Sequence, residues 1–157
     1  LRTAAEVIKA DPTIHFIIAG QGPEEKRIQK MIRSLHLEGN VHMLGFRDDI
    51  VDVMKSLDLF LITSKTEGLG TIVLEAFAAG VPVVATRAGG IPEMVEDTVT
   101  GLLAEPGDIE SLKKATLRVL TDPLLKNTFV QNALARVQDF SYHATAEKTL
   151  AIYEKSK

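Results

Sequence analysis

The sequence has 157 residues, and 18 Lys and Arg against 21 Asp and Glu give it a formal net charge of −3 at pH 7. Its length suits one domain with a hydrophobic core, and its 45% share of hydrophobic residues excludes a disordered chain. A pI near 5.8 argues against a nucleic-acid partner, and the lack of cysteine excludes disulfides, thiol nucleophiles and Cys-ligated zinc.

Short apolar runs alternate with amphipathic segments of helical length. In chain order the pattern predicts a helix at 2–10, a strand at 14–19, a helix at 24–37, a strand at 41–44, a helix at 48–55, a strand at 59–62, a helix at 71–79, a strand at 81–85, a helix with Glu93 in its first turn, a strand at 102–104, and helices at 108–121, 123–138 and 142–155. Strands that are apolar throughout and separated by helices indicate a parallel sheet covered on both faces. We therefore predict an α/β fold with an open, doubly wound, Rossmann-like sheet and a helical C-terminal tail. Ligands of such sheets bind at the loops after the carboxyl ends of the strands.

The loop after the third predicted strand carries the most informative chemistry. It places Glu67, Gly68 and Gly70 before a helix whose only polar residues are Thr71 and Glu75. The start of a helix has unpaired amides and a partial positive charge, and the glycines let a phosphate approach them. Because glutamate is rarely buried without a partner, we expect Glu75 to meet an internal hydrogen-bond partner or a ligand. A structural role, in which Glu67 caps the helix and Glu75 bonds a neighbouring loop, fits the pattern equally well.

Two earlier loops contain weaker signals. Gly20 opens a turn between the first predicted strand and the next helix, and it fits either a tight turn or a backbone that approaches a phosphate. Gly45, Phe46 and Arg47 follow the second predicted strand. Phe46 and Arg47 fit the border of a base-binding site, or alternatively a core residue and a solvated surface charge.

The remaining polar residues near strands indicate no further chemistry. His15 and His42 lie in predicted strands, so we expect them to be packing residues. Ser64 has an ordinary hydroxyl at the end of a strand. Separately, the two glycines at 89–90 permit close approach of a ligand. The histidines show no metal-ligand spacing, so we predict no metal site.

Several short motifs occur in a fixed order along nearly the whole chain. They are AGQGP (19–23), LGF (44–46), TS (63–64), EGLG (67–70), LEAFAAGVPVVAT (74–86), GGIPE (89–93) and TGLL (100–103). This series resembles the nucleotide-sugar half of GT-B retaining glycosyltransferases, and within them the group 1 family, family 4, of bacterial enzymes. The resemblance implies two Rossmann-like domains that face a cleft, with the donor held mainly by the C-terminal domain.

The resemblance also implies roles for individual residues. By motif position, Glu67 is the catalytic-site glutamate that contacts the hydroxyls of the transferred sugar, and Glu75 holds the ribose hydroxyls. The resemblance further implies that the sugar and diphosphate meet backbone amides of Gly68, Leu69, Gly70 and Thr71. It implies that Gly45, Phe46 and Arg47 border the nucleobase and that Gly20 lines the donor pocket.

Members of the family need no divalent metal and no cofactor, because a helix start and basic side chains stabilise the leaving diphosphate. The family's basic pair, an Arg and a Lys, lies on the first strand of the domain and the loop after it. That segment would precede residue 1, as would the N-terminal acceptor domain. We therefore expect residues 1–157 to be a fragment that lacks a central strand of the sheet and the N-terminal domain of the same polypeptide.

The expected parent enzyme transfers a sugar from a UDP- or GDP-linked donor to a hydroxyl of an acceptor that the sequence does not identify. The fragment alone is expected to be inactive. The expected location is cytoplasmic, with peripheral membrane association through the other half of the enzyme left open. Two other interpretations stay open at this point: a non-catalytic nucleotide-sugar binding or regulatory module, and a generic doubly wound domain whose glutamates are structural.

Overall fold

The computed structural model describes residues 1–155, and its elements follow the predicted order. The helices are α1 (Arg2–Ala10), α2 (Glu25–Ser34), α3 (Ile50–Lys55), α4 (Ile72–Ala78), α5 (Ile91–Met94), α6 (Ile109–Thr121), α7 (Pro123–Arg136) and α8 (Tyr142–Lys155), with a 3-10 helix at Val137–Phe140. The strands are β1 (Phe16–Ala19), β2 (Val41–Gly45), β3 (Phe60–Ile62), β4 (Val83–Thr86) and β5 (Gly101–Ala104). Helix α2 ends earlier than predicted, because the chain turns at His36, which has a φ of 55°.

The strands are parallel, as predicted, but they form two sheets. Strand β1 pairs with β2, so that Phe16 lies opposite Val41, while β4 lies between β3 and β5 in a second sheet. The prediction of an α/β fold with parallel strands is confirmed. Within residues 1–155 no ladder joins β1 to β3, which agrees with the expectation that the fragment lacks a central strand of the sheet. An apolar run indicates that a strand is buried, but it does not specify the neighbour with which the strand pairs.

A groove of about 1000 Å³ lies between β1 and β3. Each of these strands has one hydrogen-bonded neighbour, so each leaves its other backbone edge unpaired. Apolar side chains line the groove, including those of Ile17, Leu59 and Leu61. Thr116 lines it as well, and its hydroxyl is the one buried side-chain polar atom in the described part of the chain without a hydrogen-bond partner. The groove therefore combines apolar surface with unused hydrogen-bonding groups.

The prediction that His15 and His42 are packing residues is wrong. Both are exposed, their rings stack with centroids 5.3 Å apart, and Nδ1 of His15 lies 3.0 Å from Nε2 of His42. Burial alternates along β1, where Ile17 is 43% exposed, instead of being continuous. This alternation is typical of a sheet with one face open, so side chains on that face meet solvent.

The main core surrounds β4, in which every residue is buried. Helix α4 contributes Val73, Ala76 and Phe77 to this core, and Phe77 is fully buried. Burying one phenylalanine side chain stabilises the fold by about 1.5–3 kcal/mol. This packing fixes α4, and with it the loop that precedes α4, relative to the sheet.

Helices α6 and α7 begin at aspartate caps, and α7 supports α5. The side chain of Asp108 accepts a hydrogen bond from the Ser111 amide over 2.9 Å at the start of α6, and Asp122 caps α7 in the same way. Near the end of α7, Arg136 donates to the carbonyl oxygens of Met94 over 3.0 Å and Glu93 over 2.7 Å. These bonds hold the end of α5 against α7. None of the helices within residues 1–155 is both long and apolar enough to cross a membrane.

Candidate functional site

The loop between β3 and α4 holds Glu67 in a defined orientation. Glu67 is half-buried, and both of its carboxylate oxygens accept hydrogen bonds. The Ser64 hydroxyl donates to Oε2 over 3.0 Å, and the Gly68 amide donates to Oε1 over 3.2 Å. The N-cap residue of α4 is Thr71, and no side-chain hydrogen bond caps the helix there. The structural interpretation is therefore wrong for Glu67, which does not cap α4.

Free backbone amides lie between this carboxylate and the helix. The amides of Leu69, Gly70, Thr71 and Ile72 donate no hydrogen bond to any atom of residues 1–155. Gly70 has a φ of 70°, and a Cβ atom there would lie 2.9 Å from the side chain of Ile91, so both conformation and space favour glycine. Unpaired amides beside the start of a helix attract an anionic group.

Glu75 lies on the solvent face of α4, together with Thr71 and Ala78, all three of which are exposed. Its carboxylate forms no hydrogen bond or ion pair within the described part of the chain. The premise that Glu75 is buried, from which the sequence predicted an internal partner or a ligand, is wrong, because the buried residues of α4 all lie on the other face. The alternative in which Glu75 bonds a neighbouring loop is wrong as well. The carboxylate is free to accept hydrogen bonds from a ligand.

The loops after β1 and β2 meet each other. The Gly20 amide donates to the Gly45 carbonyl over 2.7 Å, and both glycines have positive φ. Phe46 is 69% exposed, so the alternative of a core residue is wrong. Arg47 donates to Asp49 through Nε over 2.6 Å and through Nη2; these hydrogen bonds raise the pKa of Arg47 and lower the pKa of Asp49. An exposed ring followed by a fixed planar guanidinium suits contact with a flat ligand.

The predicted site residues thus fall into two groups. One comprises Gly20, Gly45, Phe46 and Arg47 in the loops after β1 and β2, and the other comprises residues 67–71 and Glu75 in the β3–α4 unit. Over residues 1–155 no hydrogen bond or ion pair joins the two groups. The same part of the chain contains no cluster of three or more His, Asp or Glu side chains that could hold a metal ion.

Two hydroxyls support the second group although sequence analysis assigned neither to the site. Ser64 bonds Glu67, and the Thr86 hydroxyl donates to the Ser64 carbonyl over 2.6 Å. Both residues lie in motifs of the resemblance, at 63–64 and 74–86, but serine and threonine at strand ends occur in every fold, so the motifs did not indicate a role for either hydroxyl. The glycine pair at 89–90 did give a signal, since the Gly90 amide donates to the Gly68 carbonyl over 2.8 Å.

By sequence, the chain is similar to glycosyltransferases. The family model described as "Glycosyl transferases group 1" matches residues 1–136. N-acetyl-alpha-D-glucosaminyl L-malate synthase of Bacillus anthracis is 34% identical over 139 residues, which cover 88% of this chain and 36% of the relative. D-inositol 3-phosphate glycosyltransferase of Saccharomonospora viridis is 30% identical over an alignment of 172 residues, covering 99% of this chain and 39% of the relative. The chain spans less than half the length of these relatives.

Solved structures show the same likeness. HepE of Anabaena in complex with UDP superposes with a TM-score of 0.85 at 31% identity, covering 99% of this chain and 44% of HepE. HepE has also been crystallised in complex with UDP-glucose. The C-terminal domain of LpcC, a group 1 glycosyl transferase family protein of Francisella tularensis, has a TM-score of 0.78 at 26% identity, covering 87% of this chain and 74% of that domain structure.

Proposed function

The chain belongs to the glycosyl transferases group 1 family, and from this premise we propose that it is the donor-binding domain of an enzyme that transfers a sugar from a nucleotide diphosphosugar to an acceptor hydroxyl. The observation that carries the proposal is the β3–α4 unit. This unit begins with the fixed carboxylate of Glu67 and continues with the unpaired amides of residues 69–72. It ends with the exposed carboxylate of Glu75, which has no partner in residues 1–155. A nucleotide sugar has matching groups: sugar hydroxyls for Glu67, a diphosphate for the amides of residues 69–72 and ribose hydroxyls for Glu75.

The nucleobase is assigned to the surface made by Gly45, Phe46 and Arg47, with Gly20 lining the pocket. The exposed ring of Phe46 and the guanidinium of Arg47, held by Asp49, support this assignment. UDP as the nucleotide is supported by the complexes of HepE with UDP and UDP-glucose. GDP is the alternative, since a mannosyltransferase relative from Corynebacterium glutamicum, 29% identical, is named as GDP-mannose-dependent.

The proposed reaction retains the configuration at the anomeric carbon and needs no divalent metal. As the bond between the sugar and the diphosphate breaks, negative charge grows on the phosphate oxygens. The amides of residues 69–72 are free to donate to this group, so they stabilise the charge without first breaking a hydrogen bond within residues 1–155. Glu67, which Ser64 and Gly68 hold in place, orients the sugar through its hydroxyls.

We also propose that the groove between β1 and β3 receives a strand of a longer polypeptide that precedes residue 1. Two unpaired parallel edges and an apolar lining suit one extended segment between them. The coverage of less than half of each relative, and the likeness to a C-terminal domain of LpcC, support a longer enzyme with a second, acceptor-binding domain. We propose a cytoplasmic location for this enzyme, with membrane contact, if any, through that second domain.

Calorimetric titration of the full-length polypeptide that contains this chain tests the proposal. UDP, UDP-glucose and GDP-mannose are the probes, and Glu67→Ala is compared with Glu38→Gln, a control at an exposed glutamate before β2. We expect either the UDP compounds or GDP-mannose to bind. We also expect Glu67→Ala to lower the affinity for the nucleotide sugar more than the affinity for the free nucleotide. Absence of binding by all three probes would contradict the proposed function.

A further inference from the structure

We propose that Thr86 and the turn at 89–90 are positioning residues for Glu67, which hold its carboxylate where it meets the transferred sugar without themselves touching the donor. This inference rests on the proposed function of the β3–α4 unit. Thr86 and the turn belong to the segment at and after the end of β4, whereas Glu67 lies in the loop after the neighbouring strand β3. The orientation of Glu67 therefore depends on contacts between two adjacent loops.

The first contact passes through two hydroxyls. Thr86 is fully buried, and its Oγ1 donates to the Ser64 carbonyl over 2.6 Å. The Ser64 hydroxyl in turn donates to Oε2 of Glu67 over 3.0 Å. Because Thr86 is the last residue of β4, in which every residue is buried, the Ser64 backbone is tied to the most buried strand of the sheet. Two successive hydrogen bonds thus connect the Glu67 carboxylate to β4.

The second contact clamps the backbone around Glu67. The Gly90 amide donates to the Gly68 carbonyl over 2.8 Å. Gly89 has a φ of 52°, and a Cβ atom at this position would lie 1.8 Å from the Glu67 carbonyl oxygen and 2.7 Å from the Gly68 carbonyl oxygen. The two loops approach so closely that only a residue without a side chain fits. The backbone of Glu67 and Gly68 is thereby pressed against the turn on one side and tied to Thr86 through Ser64 on the other.

Packing alone does not account for a threonine in this place. The other residues of β4 are Val83, Val84 and Ala85, and valine has the shape of threonine without a hydroxyl that must be satisfied. The hydroxyl of Thr86 contributes one thing that valine would not, the bond to Ser64. Thr116 serves as the comparison for Thr86, because it is also buried but its hydroxyl has no partner within residues 1–155.

The experiment uses the full-length polypeptide and the variants Thr86→Val, Thr86→Ser and Thr116→Val. Calorimetric titration measures the affinity for UDP-glucose and for UDP, because only UDP-glucose brings a sugar to Glu67. We expect Thr86→Val to weaken UDP-glucose binding by about tenfold while the affinity for UDP stays within about twofold, which is the effect of one misplaced hydrogen-bonding group on the sugar. Thr86→Ser restores the hydroxyl and the affinity, and Thr116→Val changes neither affinity.

A double-mutant cycle distinguishes positioning from a general loss of stability. If Thr86 acts through Glu67, Thr86→Val causes no further loss of UDP-glucose affinity in the Glu67→Ala background. Equal losses for UDP and UDP-glucose, wild-type affinity in Thr86→Val, or additive losses in the cycle would overturn the inference. If the wild type binds GDP-mannose instead of UDP-glucose, the same comparison is made with GDP-mannose and GDP. If it binds none of these probes, the proposed function fails, and a crystal structure of Thr86→Val decides the inference separately. A Glu67 carboxylate displaced by about 1 Å or more supports positioning, and an unmoved carboxylate overturns it.

Discussion

Replacing Glu75 separates nucleotide binding from stability, because its carboxylate is exposed and has no partner within residues 1–155. If the carboxylate accepts hydrogen bonds from the ribose, Glu75→Ala costs about 1.5–3 kcal/mol of binding free energy, the range for hydrogen bonds to charged groups. That cost raises the Kd for UDP roughly 10- to 150-fold. Glu75→Gln keeps the size of the side chain and one acceptor oxygen, so we expect it to lose less affinity.

The free energy of unfolding changes little in the same variants. Within residues 1–155 no side-chain hydrogen bond or ion pair is lost, and the remaining effect is that of a carboxylate in the first turn of α4, which the helix dipole stabilises by about 0.3–1 kcal/mol. Calorimetric titration with UDP and a thermal melt, both on the full-length polypeptide, measure the two quantities, with Glu38→Gln as the control at another exposed glutamate. A Kd of Glu75→Ala within about threefold of the wild type would refute the ribose assignment. A large fall in melting temperature with unchanged affinity would show that Glu75 is structural.

Three further outcomes follow from the structure. Gly89→Ala forces a Cβ atom to 1.8 Å from the Glu67 carbonyl oxygen at a positive φ, so we expect a loss of at least about 2 kcal/mol of unfolding free energy in a denaturant titration. Gly22→Ala, where a Cβ atom meets nothing within 4 Å, is the control and should change little. UDP binding by the full-length polypeptide should survive EDTA, because amides meet the diphosphate; a loss of affinity that Mg²⁺ reverses would count against this. Residues 1–157 alone should release no UDP from UDP-glucose in the presence of acceptors, since retaining transfer needs an acceptor hydroxyl held in a cleft that excludes water. Sugar transfer by the purified chain would show that one domain suffices.

Much of the fold could be predicted because the elements are locally encoded. Apolar runs between amphipathic segments located every strand from β1 to β5, and the motif series indicated the group 1 glycosyltransferases, a resemblance that the family model confirms. The division into two sheets agrees with the expectation of a missing central strand, which came from the resemblance; apolar runs alone do not show which strands pair, because pairing depends on contacts distant in sequence. The exposure of His42 could not be predicted from its place in a strand, because it depends on which face of the β1–β2 sheet is uncovered.

Within the site, residue identity was easier to predict than environment. Glu67 and Glu75 stood out as carboxylates beside glycines and apolar residues, but sequence periodicity did not show that α4 turns Glu75 to solvent. The helix has seven residues, and small side chains such as Ala78 occupy its exposed face, so its apolar composition did not mean that every face is buried. The role of the Thr86 hydroxyl could not be predicted from the sequence, because it depends on a contact with the neighbouring loop.

A crystal structure of the full-length polypeptide with UDP-glucose tests most directly whether the β3–α4 unit is a donor site. We predict that a hexose hydroxyl lies within hydrogen-bond distance of the Glu67 carboxylate, that the ribose hydroxyls meet Glu75, and that the diphosphate oxygens accept from the amides of residues 69–72. A nucleotide bound away from these groups, or one whose ribose and sugar contact neither glutamate, would contradict the assignment.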